Sequence, residues 1–227
     1  MSASEPSTYR VDWQEARRDW PAWLALLASF VASLMLYPHL PEQVPIHWNL
    51  QGEADGFAGK FWGAIGLPLL NVGIYLMLLF LPLVDPKRAN YPRFIRFYRG
   101  FRVFMAFFFA GLHGVTLYAA LGRPIDVGLV VTLGVSLLFV YLGNSLGRIR
   151  HNYFVGIRTP WTLANEEVWR RTHRLGGRLF VLAGLLPWLA WPFSRAAALY
   201  ALIGGSLVVV LVTTVYSAVL FQRINAR

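Results

Sequence analysis

The fold is decided by long apolar stretches such as residues 196–221, which are AAALYALIGGSLVVVLVTTVYSAVLF and contain no charged residue. This stretch exceeds the roughly 20 residues that an α-helix needs to cross the hydrocarbon core of a bilayer. In lipid, every backbone N–H and C=O must find a partner, and a helix supplies these partners within one segment. The alternation of apolar and polar residues that is typical of membrane barrel strands is absent. Residues 196–221 therefore predict a membrane-spanning helix.

Five further segments share this apolar character and are bounded by prolines, glycines or charged residues. Together with 196–221 they predict an all-α fold, a polytopic integral membrane helix bundle of about six transmembrane helices. The weakest is 179–193, which is short and interrupted by Pro187 and Pro192. The other four are 20–37, 61–84, 101–121 and 127–143.

The composition of the 227 residues agrees with a membrane protein, because 56% are hydrophobic and 14% are charged, against about 25% charged in soluble domains. The net charge of +10 would favour nucleic acid in a soluble protein. Here the basic residues lie between apolar segments and no nucleic-acid motif is present, so we expect the lipid bilayer as partner and no direct nucleic acid. The absence of cysteine excludes disulfides, thiolate metal sites and a cysteine nucleophile.

The distribution of Lys and Arg predicts the orientation. If the N-terminus is inside, all but three of the 21 Lys and Arg fall in cytoplasmic segments, the exceptions being Lys60, Arg123 and Arg195. Cytoplasmic loops are enriched in basic residues, so we expect both termini inside. The first 20 residues mix acids and bases without the pattern of a cleavable signal peptide, which predicts that the first span is retained.

Three regions follow from this arrangement. We expect a cytoplasmic N-terminal segment at 1–20 and an N-terminal membrane region at 21–125 that contains an ordered outer loop at 38–60. A second membrane region at 126–227 contains a cytoplasmic loop and interfacial helix at 144–178.

The outer loop is dense in turn-forming residues such as Gly52 and Gly56, which favours an ordered conformation. His47, Glu53 and Asp55 are residue types that bind metal, but their spacing matches no standard signature. We therefore favour a hydrogen-bonded loop that contacts headgroups, and a peptide or small-ligand site remains an alternative. The residues that would bind such a ligand are His47, Trp48, Asn49 and Asp55.

The inner loop carries helix signals. Thr159 before Pro160 predicts an N-cap and a first helical residue, and Asn165 predicts a second helix start. We expect that second helix to end at Gly176–Gly177. Trp161 and Trp169 suit a helix lying at the membrane interface. The alternative is a polar site facing the bundle, formed by Asn144, Asn152, Arg158, Thr159 and Trp161.

His113 is the one ionisable side chain well inside a predicted span. A neutral imidazole that bonds across a helix interface is the favoured interpretation, and a functional role is the alternative. No catalytic constellation of recognised spacing is present, so we name no catalytic residue and expect no cofactor.

Both loops resemble known sequences. The inner string GIRTPWTL at 156–163, with Val168-Trp169 and Thr172-His173-Arg174 after it, resembles the SdpI family, whose founding member is an immunity protein against a secreted peptide toxin. The outer string PIHWN at 45–49, followed by Gly52, Asp55-Gly56 and Lys60, is similar to a domain of unknown function that commonly precedes the SdpI region.

This resemblance implies a multi-pass protein of the bacterial cytoplasmic membrane. The first hypothesis is a non-enzymatic immunity or signalling protein, with a secreted peptide toxin and a cytosolic transcriptional regulator as candidate partners. A transporter with His113 and Asn71 along its path is the second hypothesis. The third is a metal-dependent membrane enzyme that uses the outer loop.

Overall fold

The structure is a computed structural model that describes residues 8–49 and 51–226. Residues 1–7 of the expected N-terminal segment, Leu50 of the outer loop and Arg227 lie outside the described residues. The strands are β1 (Gln43–Trp48) and β2 (Ala54–Gly59). The helices are α1 (Trp13–Arg18), α2 (Trp20–Leu36), α3 (Lys60–Phe80), α4 (Ile95–Ala120), α5 (Val127–Leu146), α6 (Pro160–Ala164), α7 (Glu166–Ala190) and α8 (Arg195–Asn225).

Five helices of the described chain are long and apolar enough to cross a membrane, namely α2, α3, α4, α5 and α8. The prediction of an all-α membrane bundle is confirmed. The expected number of about six spans is not confirmed, because α7 is apolar only in its C-terminal half and carries four arginines before Leu179. The orientation with both termini inside rests on that number and remains a prediction.

The described chain forms two compact units. The hairpin unit comprises Arg10–Phe80 and Tyr98–Val131, and so contains α1 to α3, the strands and most of α4. The α7–α8 unit comprises residues 8–9, 81–97 and 132–226, and so contains most of α5 and α6 to α8.

Three alanines lie in the core of the hairpin unit beside larger side chains. Ala22, Ala25 and Leu26 of α2 pack with Tyr75 of α3 and Ala106 of α4. Small residues let helix backbones approach closely, which is how membrane helices gain packing energy when lipid is as apolar as the side chains.

Pro68 lies inside α3 and has no N–H to bond the carbonyl of Ala64, four residues earlier. Ser33 of α2 donates its hydroxyl to that carbonyl at 2.7 Å. The proline is therefore tolerated because a neighbouring helix satisfies the freed oxygen.

The outer loop folds as an antiparallel hairpin of β1 and β2. Its base is fixed on α3, since Val44 is buried over Gly63, where an added Cβ would overlap the valine side chain. Asn49 closes the tip by accepting the backbone N–H groups of Gln51 at 3.0 Å and Glu53 at 2.9 Å. A hairpin was not predicted, although the β-branched and aromatic residues at 44–48 are typical of a strand.

Glycines set the packing within the α7–α8 unit, and they overturn the predicted helix end at Gly176–Gly177. The helix α7 continues through both residues. An added Cβ on Gly177 would lie 2.7 Å from the carbonyl oxygen of Gly143, and one on Gly184 would lie 2.7 Å from that of Ser136. These glycines therefore let α7 contact α5 at backbone distance, and do not act as helix caps.

Candidate functional site

Asn152 organises the inner loop. Its Nδ2 donates to the carbonyls of Arg150 at 2.8 Å and Val155 at 3.0 Å. Its Oδ1 accepts from the N–H groups of Phe154 at 2.9 Å and Val155 at 2.7 Å. The side chain is buried, so these four bonds hold the loop closed around it.

His173 joins the inner loop to α7. Its Nε2 accepts the N–H of Ile157 at 3.0 Å, and its Nδ1 lies 2.8 Å from the carbonyl oxygen of Trp169. These partners require a neutral ring with the proton on Nδ1. Gly156 has a φ of +118°, and a Cβ there would overlap the His173 ring.

The pKa of His173 follows from this position. Burial lowers the pKa from its ordinary value of 6.5 to about 4, the bond to the Trp169 carbonyl opposes that shift, and the neighbouring His151 adds to it. The ring therefore stays neutral at physiological pH, as its two hydrogen bonds require.

Trp169 is buried within the α7–α8 unit, and the interfacial depth of its helix stays a prediction. Trp169 is 2% exposed, stacks on His173 at 4.0 Å between ring centroids and donates its indole N–H to the Ile149 carbonyl at 3.0 Å. The hydrophobic pattern could not separate this buried indole from an interfacial one, because both stand beside charged helical neighbours. Trp161, in contrast, is half-buried.

The predicted helix starts are confirmed. Thr159 caps α6 and forms a capping box with Thr162, and its hydroxyl also bonds Ser217 of α8 at 2.9 Å. Asn165 caps α7 by accepting the N–H groups of Glu167 and Val168. Both caps belong to the α7–α8 unit, and the Thr159 cap also fixes the loop against α8.

A second buried group was missed by the sequence analysis. Asp85 accepts the Tyr91 hydroxyl at 3.0 Å and the Tyr153 N–H at 3.0 Å. Lys87 donates its ammonium to Nδ1 of His151 at 2.8 Å. Burial, and next the charge of Lys87, lower the pKa of His151. The signal in the sequence was an acid placed directly after an apolar segment.

The five residues of the predicted inner polar site have different environments. Asn152 and Thr159 are buried, whereas Asn144 and Arg158 are exposed. Asn144 bonds its own helix at the Val140 carbonyl (3.0 Å), and Arg158 donates to the Tyr153 carbonyl at 3.0 Å. Over 8–49 and 51–226, no hydrogen bond joins any two of Asn144, Asn152, Arg158, Thr159 and Trp161.

The outer-loop candidates lie on the hairpin. His47 Nδ1 is 2.5 Å from Asp55 Oδ1, with side chains 71% and 45% exposed. Trp48 pairs with Ala54 across the strands. Glu53 accepts from Asn49 Nδ2 at 3.3 Å. No group of three or more His, Asp or Glu side chains that could hold a metal occurs among the described residues.

The hairpin unit also contains a buried ion cluster that the sequence analysis missed. Arg102, fully buried, donates to Glu15 Oε1 at 2.8 Å and to Asp19 Oδ2 at 2.7 Å. Arg99 donates to Glu15 Oε2 at 2.6 Å, and the Tyr75 hydroxyl donates to Asp19 at 3.0 Å. The signal was present in the spacing, since acids four apart and arginines three apart each share one helix face.

The polar residues predicted inside spans lie in the same unit. His113 Nε2 is 2.8 Å from the Ser33 hydroxyl, which confirms the predicted bond across a helix interface. Asn71 donates to the Ala106 carbonyl at 2.9 Å. Both side chains are buried.

Two family matches fit this division. Residues 148–217 match the SdpI/YfhL protein family, and residues 24–72 match a domain of unknown function, DUF1648. The first range lies within the α7–α8 unit and the second within the hairpin unit.

Two relatives extend the match. The chain is 26% identical over 197 residues to "Immunity protein SdpI" of Bacillus subtilis (strain 168), covering 87% of this chain and 92% of the relative. It is 40% identical over 50 residues to "Uncharacterized membrane protein YbgB" of the same organism, covering 22% of this chain and 55% of the relative. No solved structure matches. The chain is thus a multi-pass bacterial membrane protein that is similar to the SdpI/YfhL family over 148–217 and to DUF1648 over 24–72.

Proposed function

We propose that the protein is a membrane immunity protein that protects its cell from a secreted antimicrobial peptide. The observation that carries this proposal is the identity with an immunity protein along nearly the whole length of both chains. The first hypothesis of the sequence analysis, a non-enzymatic immunity or signalling protein, is the one that this similarity supports.

The hairpin is the surface proposed to meet the peptide. Its base is fixed by Val44 on Gly63, while Ile46 and Phe57 are 52% and 55% exposed. A two-stranded sheet has unpaired strand edges, and an extended peptide can add to such an edge by backbone hydrogen bonds. The exposed apolar side chains and the His47–Asp55 pair would then select the peptide sequence.

The inner loop is the surface proposed to meet a cytosolic regulator. Arg158 is exposed, and the exposed arginines of α7 give the same unit a strongly basic face. The buried bonds of Asn152 and His173 hold this loop in one conformation. A rigid basic face is suited to an acidic soluble partner, because charge complementarity accelerates encounter.

The test is survival of a toxin-sensitive bacterium that expresses the protein and is challenged with secreted membrane-active peptides. We expect the wild type to protect and Phe57→Ser to lose protection at matched membrane levels. Phe193→Ser is the matched control, since it removes an exposed phenylalanine (87% exposed) outside the hairpin. Absence of protection by a well-expressed wild type against every peptide would contradict the proposal.

A second measurement, of peptide binding, distinguishes the role of the hairpin from that of the inner loop. Binding of a fluorescent form of the protective peptide to proteoliposomes should weaken in Phe57→Ser and remain unchanged in Arg158→Ala. If Arg158→Ala abolishes peptide binding as Phe57→Ser does, the assignment of the peptide to the hairpin alone is wrong.

A further inference from the structure

Two open grooves flank α7 in the α7–α8 unit, and both are lined by Arg174 and Arg178. The groove between α7 and α5 has a volume of about 530 Å³. The groove between α7 and α8, about 440 Å³, has Tyr216 on its α8 side. These two arginines therefore lie between the two grooves and line both of them; we call this part of α7 the ridge.

The α5 groove exists because glycines form its floor. Gly143 and Gly177 bring the two helix backbones into contact, and Gly147 leaves room for the Arg174 stem, whose Cγ would lie 3.8 Å from an added Cβ. A Cβ added at Gly143 or Gly177 would lie 2.7 Å from the facing helix backbone and would push the two helices apart.

The two arginines are free to bind an anion. Over 8–49 and 51–226, neither Arg174 nor Arg178 forms an ion pair, whereas the preceding Arg170 and Arg171 are both held by Glu167. Both side chains are exposed and stand one helical turn apart, about 6 Å along the axis. Guanidinium groups bind phosphate oxygens in a bidentate manner, so two of them at this spacing can hold one phosphate.

The same exposed face of α7 turns apolar immediately beyond the arginines. Leu182, Leu186 and Leu189 follow at helical spacing and are 60%, 46% and 68% exposed. A stripe that passes from arginine to leucine along one helix face matches a molecule with an anionic head and a hydrocarbon chain. A free phosphate would contact only the arginines and would leave the leucines without a partner.

We propose that this ridge is a binding site for an anionic phospholipid, with the phosphate between Arg174 and Arg178 and an acyl chain along Leu182 in the α5 groove. The site does not involve the hairpin, but Arg174 and Arg178 also belong to the basic face of α7 that is proposed to meet a regulator, so a bound lipid would occupy part of that face. The lipid would set the depth of α7, whose apolar half after Arg178 is shorter than a spanning helix.

The experiment measures how many phosphatidylglycerol molecules the full-length protein retains in native mass spectrometry. The protein is extracted from nanodiscs of phosphatidylcholine with a minor fraction of phosphatidylglycerol. We expect R174Q/R178Q to lower phosphatidylglycerol affinity at least about tenfold. R93Q/R96Q is the control, since it removes two exposed arginines of the same unit outside both grooves and should retain the lipid.

Two outcomes would overturn the proposal. One is equal retention by R174Q/R178Q and the wild type, or equal loss in R93Q/R96Q, which would show that only total charge matters. The other is displacement of the lipid by free glycerol phosphate, which would show a phosphate site without a lipid. A thermal unfolding scan of each variant establishes that the exposed substitutions leave the fold intact.

Discussion

The hairpin unit contains a buried cluster of charged and paired groups, formed by Glu15, Asp19, Arg99 and Arg102. In the α7–α8 unit, the inner loop is held mainly by neutral groups, above all Asn152 and His173. A buried ion pair depends on every partner being present. A neutral histidine that accepts a hydrogen bond at Nε2, as His173 does, depends instead on that nitrogen staying unprotonated.

This difference separates the conditions that weaken each unit. Burial alone would raise the pKa of Glu15, but the hydrogen bonds and charges of Arg99 and Arg102 outweigh it and the pKa is lowered. Glu15 therefore keeps its charge under mild acid. The His173 bond to Ile157 is lost as soon as the ring gains a proton, so acid should act on the α7–α8 unit first.

The largest effect is expected from Arg102→Met. The substitution keeps the length of the side chain and leaves Glu15 and Asp19 buried with fewer cationic partners. Breaking a buried pair costs about 3–5 kcal/mol, which we expect in the free energy of unfolding measured in detergent. Arg96→Met, an exposed control on the same helix, should change it by less than about 0.5 kcal/mol. Similar losses of unfolding free energy in the two variants would show that the buried cluster stabilises the fold no more than an exposed arginine does.

The second effect is acid destabilisation through His173. Its pKa is lowered on folding to about 4 from 6.5, so the unfolded chain takes up a proton first as the pH falls. Stability is then full above pH 6.5 and declines towards pH 4, with a loss of about 2 kcal/mol between pH 7 and pH 5. Unfolding scans over this range should show the slope.

The matched variant for this slope is His173→Gln, which can still accept the Ile157 N–H but does not titrate. It should flatten most of the pH dependence, leaving the smaller contribution of His151, whose pKa is also lowered. An unchanged slope would assign the acid effect to other groups.

The third prediction compares two glycines of the α7–α8 unit. Gly184→Ala places a methyl group 2.7 Å from the Ser136 carbonyl and 2.9 Å from the Val140 backbone N, so we expect a loss of about 1–2 kcal/mol. A Cβ at Gly204 meets nothing within 4 Å, and Gly204→Ala should stabilise by up to about 1 kcal/mol. Melting temperatures that move in the same direction would contradict the packing argument.

Much of the helical fold could be predicted from the sequence, because continuous apolar segments have few solutions in lipid. The predicted number of about six spans is not confirmed because of 179–193. There the apolar half of α7 directly continues its charged half, and composition alone does not show where a spanning segment would begin. The helix end at Gly176–Gly177 was wrong for a related reason. A glycine that ends a helix and a glycine that packs against another helix look alike until the neighbour, here Gly143, is known.

The candidate site was predictable where the interaction is local. The caps at Thr159 and Asn165 bond residues two or three positions away, and the sequence contains both partners. The bonds from His173 to Ile157 and from Arg102 to Glu15 join residues 16 and 87 positions apart. Nothing in a single sequence pairs such distant residues, which is why the ion cluster and the burial of Trp169 were missed.

The smallest effect is expected at Glu167, which offers the exposed counterpart of the buried cluster. Its hydrogen bonds to Arg170 and Arg171 lower its pKa, yet all three side chains remain in contact with solvent. Water and salt screen such pairs, so Glu167→Gln should leave the melting temperature unchanged at both low and high salt. If it lowers the melting temperature as far as Arg102→Met does, then burial is not what distinguishes the two carboxylate–arginine clusters. The contrast between the units would in that case have to be sought in geometry instead.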